Sequence, residues 1–79
     1  DFVSMGMTSA LKLEQAVDLT RSVLAIELLT AARALDLLAP LRSSPAIEAQ
    51  RSRLREVCPP WREDQPFSDQ IANAAKLLQ

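Results

Sequence analysis

Few of the residues in this chain could act on a substrate. Its 79 residues include no histidine and a single cysteine, Cys58. Without histidine, the chain can form neither a Ser-His or Cys-His nucleophile pair nor a zinc site with histidine ligands. One cysteine cannot form an internal disulfide or a Cys-x-x-Cys site. We therefore expect these residues to bind no metal and to supply no catalytic group of those kinds.

One short motif is compatible with nucleophilic catalysis. Ser9 and Lys12 stand three residues apart, the Ser-x-x-Lys spacing in which a lysine one helical turn away helps to remove the serine proton. The Ser-Asp-Asn and Lys-Thr-Gly motifs that accompany this spacing in serine β-lactamases are missing from the sequence, and Ser68-Asp69-Gln70 comes nearest. We interpret Ser9 and Lys12 as surface residues of a first helical turn.

Four carboxylates, Glu14, Asp18, Glu27 and Asp36, could in principle serve acid–base chemistry. On a helix, Glu14 and Asp18 share a face, and Arg21 lies one turn beyond Asp18, so an ordinary surface cluster explains all three. Glu27 and Arg33 have mostly apolar neighbours in sequence. Because a buried charge needs a partner, we expect interhelical ion pairs or hydrogen bonds for both.

Five of the nine basic residues lie within one third of the chain, at Arg42, Arg51, Arg53, Arg55 and Arg62. Acidic residues are interspersed among them, and the net charge of the whole chain is −1. We therefore expect a solvated charged face, with no nucleic acid or membrane surface as partner. Trp61 beside two prolines is expected to anchor a turn, and Cys58 to be a partly buried thiol without a chemical role.

Three helices are predicted to position these residues, giving an all-α fold. The first 38 residues contain no proline, which predicts one long helix over about 7–38. Ser44 and Pro45 are typical of a helix start and predict a second helix over about 45–57 with Ile47, Leu54 and Val57 on its apolar side. A third helix is predicted over about 68–78, capped by Ser68 or Asp69. Its expected buried stripe is Ile71, Ala74, Ala75 and Leu78.

The long helix is apolar on two opposite sides. One face carries Leu13, Val17, Leu24, Leu28, Ala31, Leu35 and Leu38, and we call it the assembly face. The other carries Leu11, Ala25, Leu29 and Ala32. Two short helices cannot cover both faces, and a helix apolar on two sides is normally buried in a bundle. We therefore expect partner helices from copies of this chain or from other sequence of a larger protein.

No membrane span or targeting signal is predicted. The chain opens without a basic region and an apolar core of the kind found in signal peptides. Its longest apolar stretch, residues 23–39, is interrupted by Glu27, Arg33 and Asp36, which a membrane span would not accommodate easily. We expect a soluble, cytoplasmic chain.

Three runs of the sequence resemble histidine ammonia-lyases. Residues 1–7, read DFVSMGM, with Leu11-Lys12-Leu13, resemble the segment that follows the Gln-Glu pair of that family. Residues 20–32 and 34–37 resemble the helix that comes next, and residues 43–47, 57–59 and 64–66 resemble the C-terminal part. The chain is thus similar to a C-terminal segment of the aromatic amino acid ammonia-lyase and aminomutase superfamily.

This resemblance implies a large, mostly helical homotetramer with a central bundle of long helices. The implied reaction eliminates ammonia from an aromatic amino acid, with histidine converted to urocanate as the first expectation and tyrosine or phenylalanine left open. The family's electrophile is a methylidene-imidazolone group formed from an internal Ala-Ser-Gly. These 79 residues contain no such run, so we expect no cofactor in them and no activity from this chain alone.

By resemblance, the edge of an active site lies at Asp1, Phe2, Ser4 and Met5, immediately after the family's Gln-Glu pair. Phe2 stands where histidine is common in this group. No catalytic residue is assigned, and the expected contribution of the chain is helical core and subunit assembly, with copies of itself or the remainder of a lyase chain as partners. The alternative from another class is a non-enzymatic, self-associating helical module.

Overall fold

The structure, a computed structural model, describes the backbone of residues 2–79 and the side chains of residues 5–79. It consists there of three helices, α1 (Phe2–Leu37), α2 (Pro45–Val57) and α3 (Ser68–Lys76). The predicted all-α class, with one long helix followed by two shorter ones, is confirmed. No helix in residues 2–79 is long and apolar enough to cross a membrane.

Helix α1 is longer at its start than the sequence indicates. It begins at Phe2 rather than near Met7 and contains Gly6 in its first turns. A glycine inside a helix costs about 1 kcal/mol relative to alanine, which weakens the helix locally without ending it. At its other end the helix stops at Leu37, and the turn over residues 38–40 that follows contains a cis peptide bond between Ala39 and Pro40.

Helix α2 begins and ends where local sequence signals indicate. The Ser44 side chain accepts a hydrogen bond from the backbone N–H of Ile47 at 3.4 Å, and Pro45 occupies the first turn. Proline loses no helical hydrogen bond there because the first N–H groups of a helix have no intrahelical acceptor. The helix closes with a bond from the Cys58 N–H to the Leu54 carbonyl at 2.8 Å, just before Pro59 and Pro60.

Helix α3 differs from the prediction at both ends. Phe67 is its N-cap and makes no side-chain capping bond, while Ser68 and Asp69 lie inside the first turn. The predicted cap at Ser68 or Asp69 was therefore wrong. The Ile71 N–H bonds to the Phe67 carbonyl at 2.9 Å, and the last residues after Lys76 form a turn instead of helix.

The core lies where α2 and α3 meet one side of α1. Its buried members are Ala25, Leu29, Ala32, Leu54, Cys58 and Ala74, with Leu28, Trp61, Ile71, Ala75 and Leu77 packed against them. Alanine on both α1 and α3 lets the two helices approach closely. One predicted assignment was wrong: Leu77 rather than Leu78 packs on the core. On the predicted apolar side of α2, Leu54 is buried, while Ile47 and Val57 are exposed. Cys58 is fully buried rather than partly buried.

The molecule is elongated because α1 extends well beyond the other two helices. Its radius of gyration is 16.7 Å and its extents are 60 × 28 × 17 Å. A compact chain of this length would have a radius of gyration of about 12 Å. The side chains at positions 5–20, all on α1, are exposed. The N-terminal half of α1 therefore projects without support from α2 or α3.

Candidate functional site

The assembly face of α1 is left largely uncovered by α2 and α3 in the described residues. Leu13, Val17 and Leu24 are 66%, 41% and 44% exposed, and Leu38, which lies in the turn after α1 rather than on the helix as predicted, is 54% exposed. Leu28 and Leu35 are half-buried, and Ala31 is exposed. Helices α2 and α3 cover instead the opposite face, burying Ala25, Leu29 and Ala32. This chain thus satisfies one of its two apolar faces internally and leaves the other open.

An apolar groove continues the assembly face onto α2. It has a volume of about 280 Å³. Its walls are Leu28, Ala31, Ala32 and Leu35 from α1 and Ala46, Ile47, Gln50, Arg51 and Leu54 from α2. The backbones of α1 and α2 approach each other less closely than those of α1 and α3, and the groove lies between the two less closely packed helices. A further helix lying on the assembly face would contact both helices at once.

A charged cluster fixes α2 against α1 beside this groove. Asp36 of α1 accepts hydrogen bonds from Arg51 at 2.6 Å and from Arg55 at 2.5 Å, both from α2. The Asp36 and Arg55 side chains are only 17% and 15% exposed. Arg51 also pairs with Glu48 at 3.3 Å. These contacts are interhelical charge-assisted hydrogen bonds, which are shorter and stronger than neutral ones.

Two members of this cluster, Glu48 and Arg51, have pKa values shifted toward their charged forms. The pKa of Glu48 is lowered, chiefly because the backbone N–H of Ser43 donates to its carboxylate at 2.9 Å, with Arg51 adding to the effect. The pKa of Arg51 is raised, mainly by its hydrogen bond to Asp36. Both shifts favour the ionised forms of Glu48 and Arg51. Together with the ion pairs to Asp36, this makes the cluster a structural clamp between α1 and α2.

The clamp was only partly visible in the sequence. The sequence predicts a solvated face for Arg51 and Arg55, and it offers Asp36 only as one of four carboxylates that could serve acid–base chemistry. Their four-residue spacing, which puts both arginines on one side of α2, was the available signal. Conversely, the interhelical partners predicted for Glu27 and Arg33 are not found in the described residues, where Glu27 is exposed and Arg33 half-buried.

Trp61 and Cys58 secure the segment between α2 and α3. The Trp61 ring meets Phe67 edge-on with ring centres 5.0 Å apart, and the Arg55 guanidinium lies 5.7 Å from its centre. The Cys58 thiol donates to the Gln70 carbonyl at 3.3 Å, and burial raises its pKa. A neutral, enclosed thiol is a poor nucleophile. Both side chains therefore serve packing, as the sequence indicates for Trp61.

The other predicted candidates are not brought together. Ser9, Lys12 and Glu14 are all exposed on the projecting half of α1. Asp18 pairs with Arg21 at 3.6 Å on the surface. Within the described part of the chain, no group of three or more histidine, cysteine, aspartate or glutamate side chains could hold a metal ion.

Of the four residues predicted to lie at the edge of an active site, only Met5 has a side chain that the structure describes. The side chains of Asp1, Phe2 and Ser4 lie outside the described residues. Met5 is 67% exposed at the start of α1, which leaves it free to contact another chain or segment. No catalytic geometry can be built from these residues.

The residues of this chain do not fit a methylidene-imidazolone precursor. The group requires Ala-Ser-Gly, whereas the single glycine, Gly6, follows Met5. Gly6 also lies within α1, where the backbone N–H and carbonyl groups are held in helical hydrogen bonds rather than free to cyclise.

Comparison with known proteins gives one consistent family. Residues 1–56 match the family described as aromatic amino acid lyase. A protein of Sorangium cellulosum named histidine ammonia-lyase is 48% identical over 79 residues, covering 100% of this chain and 15% of the relative. The Anaeromyxobacter sp. protein of the same name is 49% identical over 78 residues, covering 99% of this chain and 15% of the relative.

A third relative, the histidine ammonia-lyase of Vibrio cholerae, is 46% identical over 79 residues, covering 100% of this chain and 16% of the relative. This chain thus spans about one sixth of the length of the curated relatives it matches. No solved structure matches it.

Proposed function

This chain belongs to the aromatic amino acid lyase family, and from that premise we propose that it forms a C-terminal segment of a histidine ammonia-lyase. Such an enzyme eliminates ammonia from an aromatic amino acid. Histidine, giving urocanate, is the proposed substrate. The support is the shared name of relatives that are 46–49% identical across the whole chain.

The proposed role of the segment is to supply helical core and an assembly surface. The observation that carries this role is the open assembly face, whose leucines remain about half exposed while the opposite face is buried. At about 25 cal/mol per Å² of apolar surface, covering such a face contributes several kcal/mol. That is comparable to the entire stability expected of a small domain. The occupants proposed for it are further copies of the chain or the remainder of a lyase.

Catalysis is proposed to require residues from outside these 79. The prosthetic group would be formed from an Ala-Ser-Gly of other sequence, and the chain alone is proposed to be inactive. Residues 1–5 would border the active site. Their role would be to position the preceding Gln-Glu pair of the family, not to take part in the chemistry. A cytoplasmic location belongs to the same proposal and is compatible with the unpaired, buried thiol of Cys58.

A segment exchange tests the proposal. The aligned region of the Sorangium cellulosum relative is replaced by these 79 residues, and urocanate release from histidine is measured. If the chain is a functional lyase segment, we expect a rate within about tenfold of that of the unmodified relative. The reason is that the two sequences are 48% identical over all 79 residues. A folded chimera with no detectable release would contradict the proposal and favour the non-enzymatic module.

Two matched variants of the chimera test the assembly role. Leu24→Glu places a charge on the assembly face, whereas Leu19→Glu places one on an exposed position of the same helix outside that face. We expect the first to dissociate the oligomer and abolish activity, and the second to leave both in place. Equal effects of the two variants would overturn the assembly role. They would not contradict the proposal that the chain is a segment of a lyase.

A further inference from the structure

A cavity with a volume of about 440 Å³ lies between α2 and the segment that joins α2 to α1. We call it the arginine cavity. Its lining includes three apolar residues of the joining segment and three arginines, namely Ala39, Pro40, Leu41, Arg42, Arg51 and Arg55. Sites for small molecules usually have volumes of about 300–1,000 Å³. The arginine cavity is therefore large enough for a small organic ligand.

The polar groups of the arginine cavity offer more hydrogen-bond donors than the chain itself uses. The Arg42 side chain is 79% exposed, and its guanidinium lies 4.0 Å from the Glu48 carboxylate, which is too far for a hydrogen bond. The Ser52 hydroxyl, also in the lining, makes no hydrogen bond within the described residues. A ligand group that only accepts hydrogen bonds would therefore find unused donors on Arg42 and Ser52.

The charges around the cavity do not cancel. Arg42, Arg51 and Arg55 form ion pairs in the described residues only with Asp36 and Glu48. Three positive charges against two negative charges leave +1, which one negative charge would neutralise. A dianion such as phosphate would bring a second negative charge close to Glu48 on the cavity wall, where like charges repel. A carboxylate carries one charge and matches the fork of a guanidinium with two parallel hydrogen bonds.

The joining segment gives the cavity an apolar wall. Leu41 is 71% exposed, and Pro40 lines the cavity beside it. Contact with the apolar part of a ligand would remove this surface from water, which is favourable. We propose that the arginine cavity binds a small organic monocarboxylate, with its carboxylate on Arg42 and Ser52 and its apolar body on Pro40 and Leu41. This site is additional to the proposed role as a lyase segment and does not depend on it.

Titration with benzoate tests the site, because benzoate joins one carboxylate to an apolar ring and benzamide is its neutral counterpart of similar shape. The amide NMR signals of the 79-residue chain are followed at an ionic strength held constant with sodium chloride. We expect saturable shifts at Leu41, Arg42 and Ser52. The affinity for benzamide should be at least about tenfold weaker, since a neutral amide leaves the guanidinium charge uncompensated. Equal affinities, or no saturable shift at these residues, would overturn the proposal.

Two matched arginine variants locate the carboxylate. Arg42→Gln removes a charge from the cavity, whereas Arg53→Gln removes one from an exposed position of α2 outside its lining, where the side chain donates to Gln50 at 3.3 Å. We expect benzoate to bind at least about fivefold more weakly to the first variant and within about twofold of the original affinity to the second, because only Arg42 pairs with it directly. Equal losses would show a general attraction by positive charge and overturn the site. Circular dichroism checks that both variants keep their helices.

Acetate tests the apolar wall, because it carries the same charge on a much smaller apolar body. We expect acetate to bind at least about threefold more weakly than benzoate, since it covers less of Pro40 and Leu41. Equal affinities would overturn the part of the proposal that assigns the wall. Binding is measured without turnover, so failure of these titrations leaves the lyase proposal standing. Loss of urocanate release by the chimera would likewise leave the carboxylate site standing.

Discussion

Asp36 is the side chain through which α1 holds α2 in place. Both of its carboxylate oxygens are used, one by Arg51 and one by Arg55. The two arginines are one helical turn apart, so a single carboxylate fixes the rotation of α2 about its own axis as well as its distance from α1. That rotation directs Leu54 into the core and leaves Ile47 at the wall of the groove.

Replacing this carboxylate with an amide is expected to destabilise the chain. Asp36→Asn removes the charge that two half-buried guanidinium groups share, and an amide cannot accept both hydrogen bonds equally well. Asp18→Asn is the matched control, because its pair with Arg21 is exposed and such pairs contribute little. We expect the urea midpoint to fall clearly for Asp36→Asn and to stay nearly unchanged for Asp18→Asn. Equal midpoints would contradict the clamp.

Glu48 makes the stability of the chain depend on pH. Its pKa in the folded chain lies below the ordinary value of 4.5 because the Ser43 N–H donates to the carboxylate. The folded state therefore binds fewer protons than the unfolded state, and this stabilisation is present above about pH 4.5 and disappears as the pH falls through the folded pKa. We expect Glu48→Gln to lose less stability than the original chain between pH 6 and pH 3.5, measured by urea unfolding. Parallel losses would show that Glu48 contributes nothing.

At the scale of helices, the local sequence predicts the first residue of α2 correctly and that of α3 less well. Ser44 followed by Pro45 indicates a helix start that needs no tertiary contact, and the structure has the helix begin there. Ser68 offers a similar signal, yet α3 is capped by the backbone of Phe67, whose ring packs on Trp61. Tertiary packing of an aromatic residue overrode the local preference. No local pattern could reveal that packing.

The sequence also predicted two apolar faces on α1 without indicating which one the short helices cover. That choice depends on alanine at positions 25, 32 and 74, which are fully or nearly fully buried. Small side chains on both helices let α3 approach α1 closely, whereas the leucines of the assembly face hold a neighbour farther away. The Asp36 clamp was missed for a related reason, because its partners are distant in sequence.

Leu54 is the residue of α2 whose loss should affect packing most. It is 1% exposed, whereas Ile47 on the same helix is 49% exposed. Truncation of a buried leucine removes its transfer free energy and leaves a cavity, so Leu54→Ala is expected to lower the free energy of unfolding by about 2–4 kcal/mol. Ile47→Ala should lower it by less than half as much in the unassociated chain. A similar loss for both variants, measured by urea unfolding, would place Ile47 in the core.

At the scale of the whole molecule, the elongated shape and the open apolar face are the two features on which the proposed assembly role depends. A radius of gyration of 16.7 Å reflects a helix that is longer than its own chain can cover. Residues 5–20 make no core contact and remain exposed, so their helical state depends on propensity unless a neighbour is present. Short isolated helical segments are only marginally stable in water. Binding of a partner to the chain should therefore increase the helicity of residues 5–20.

This coupling predicts that the thermal stability and helicity of the chain rise with its concentration, because a partner that binds only the folded state stabilises it by mass action. Over about a hundredfold range of concentration, the melting temperature followed by circular dichroism should increase by several degrees. Leu24→Glu should remove this dependence, since it introduces a charge into a face that must lose water on association. Leu19→Glu, at a 67% exposed position outside the assembly face, should keep it. A melting temperature independent of concentration in the original chain would mean that the assembly face is not covered by copies of this chain, and would leave the remainder of a lyase as its partner.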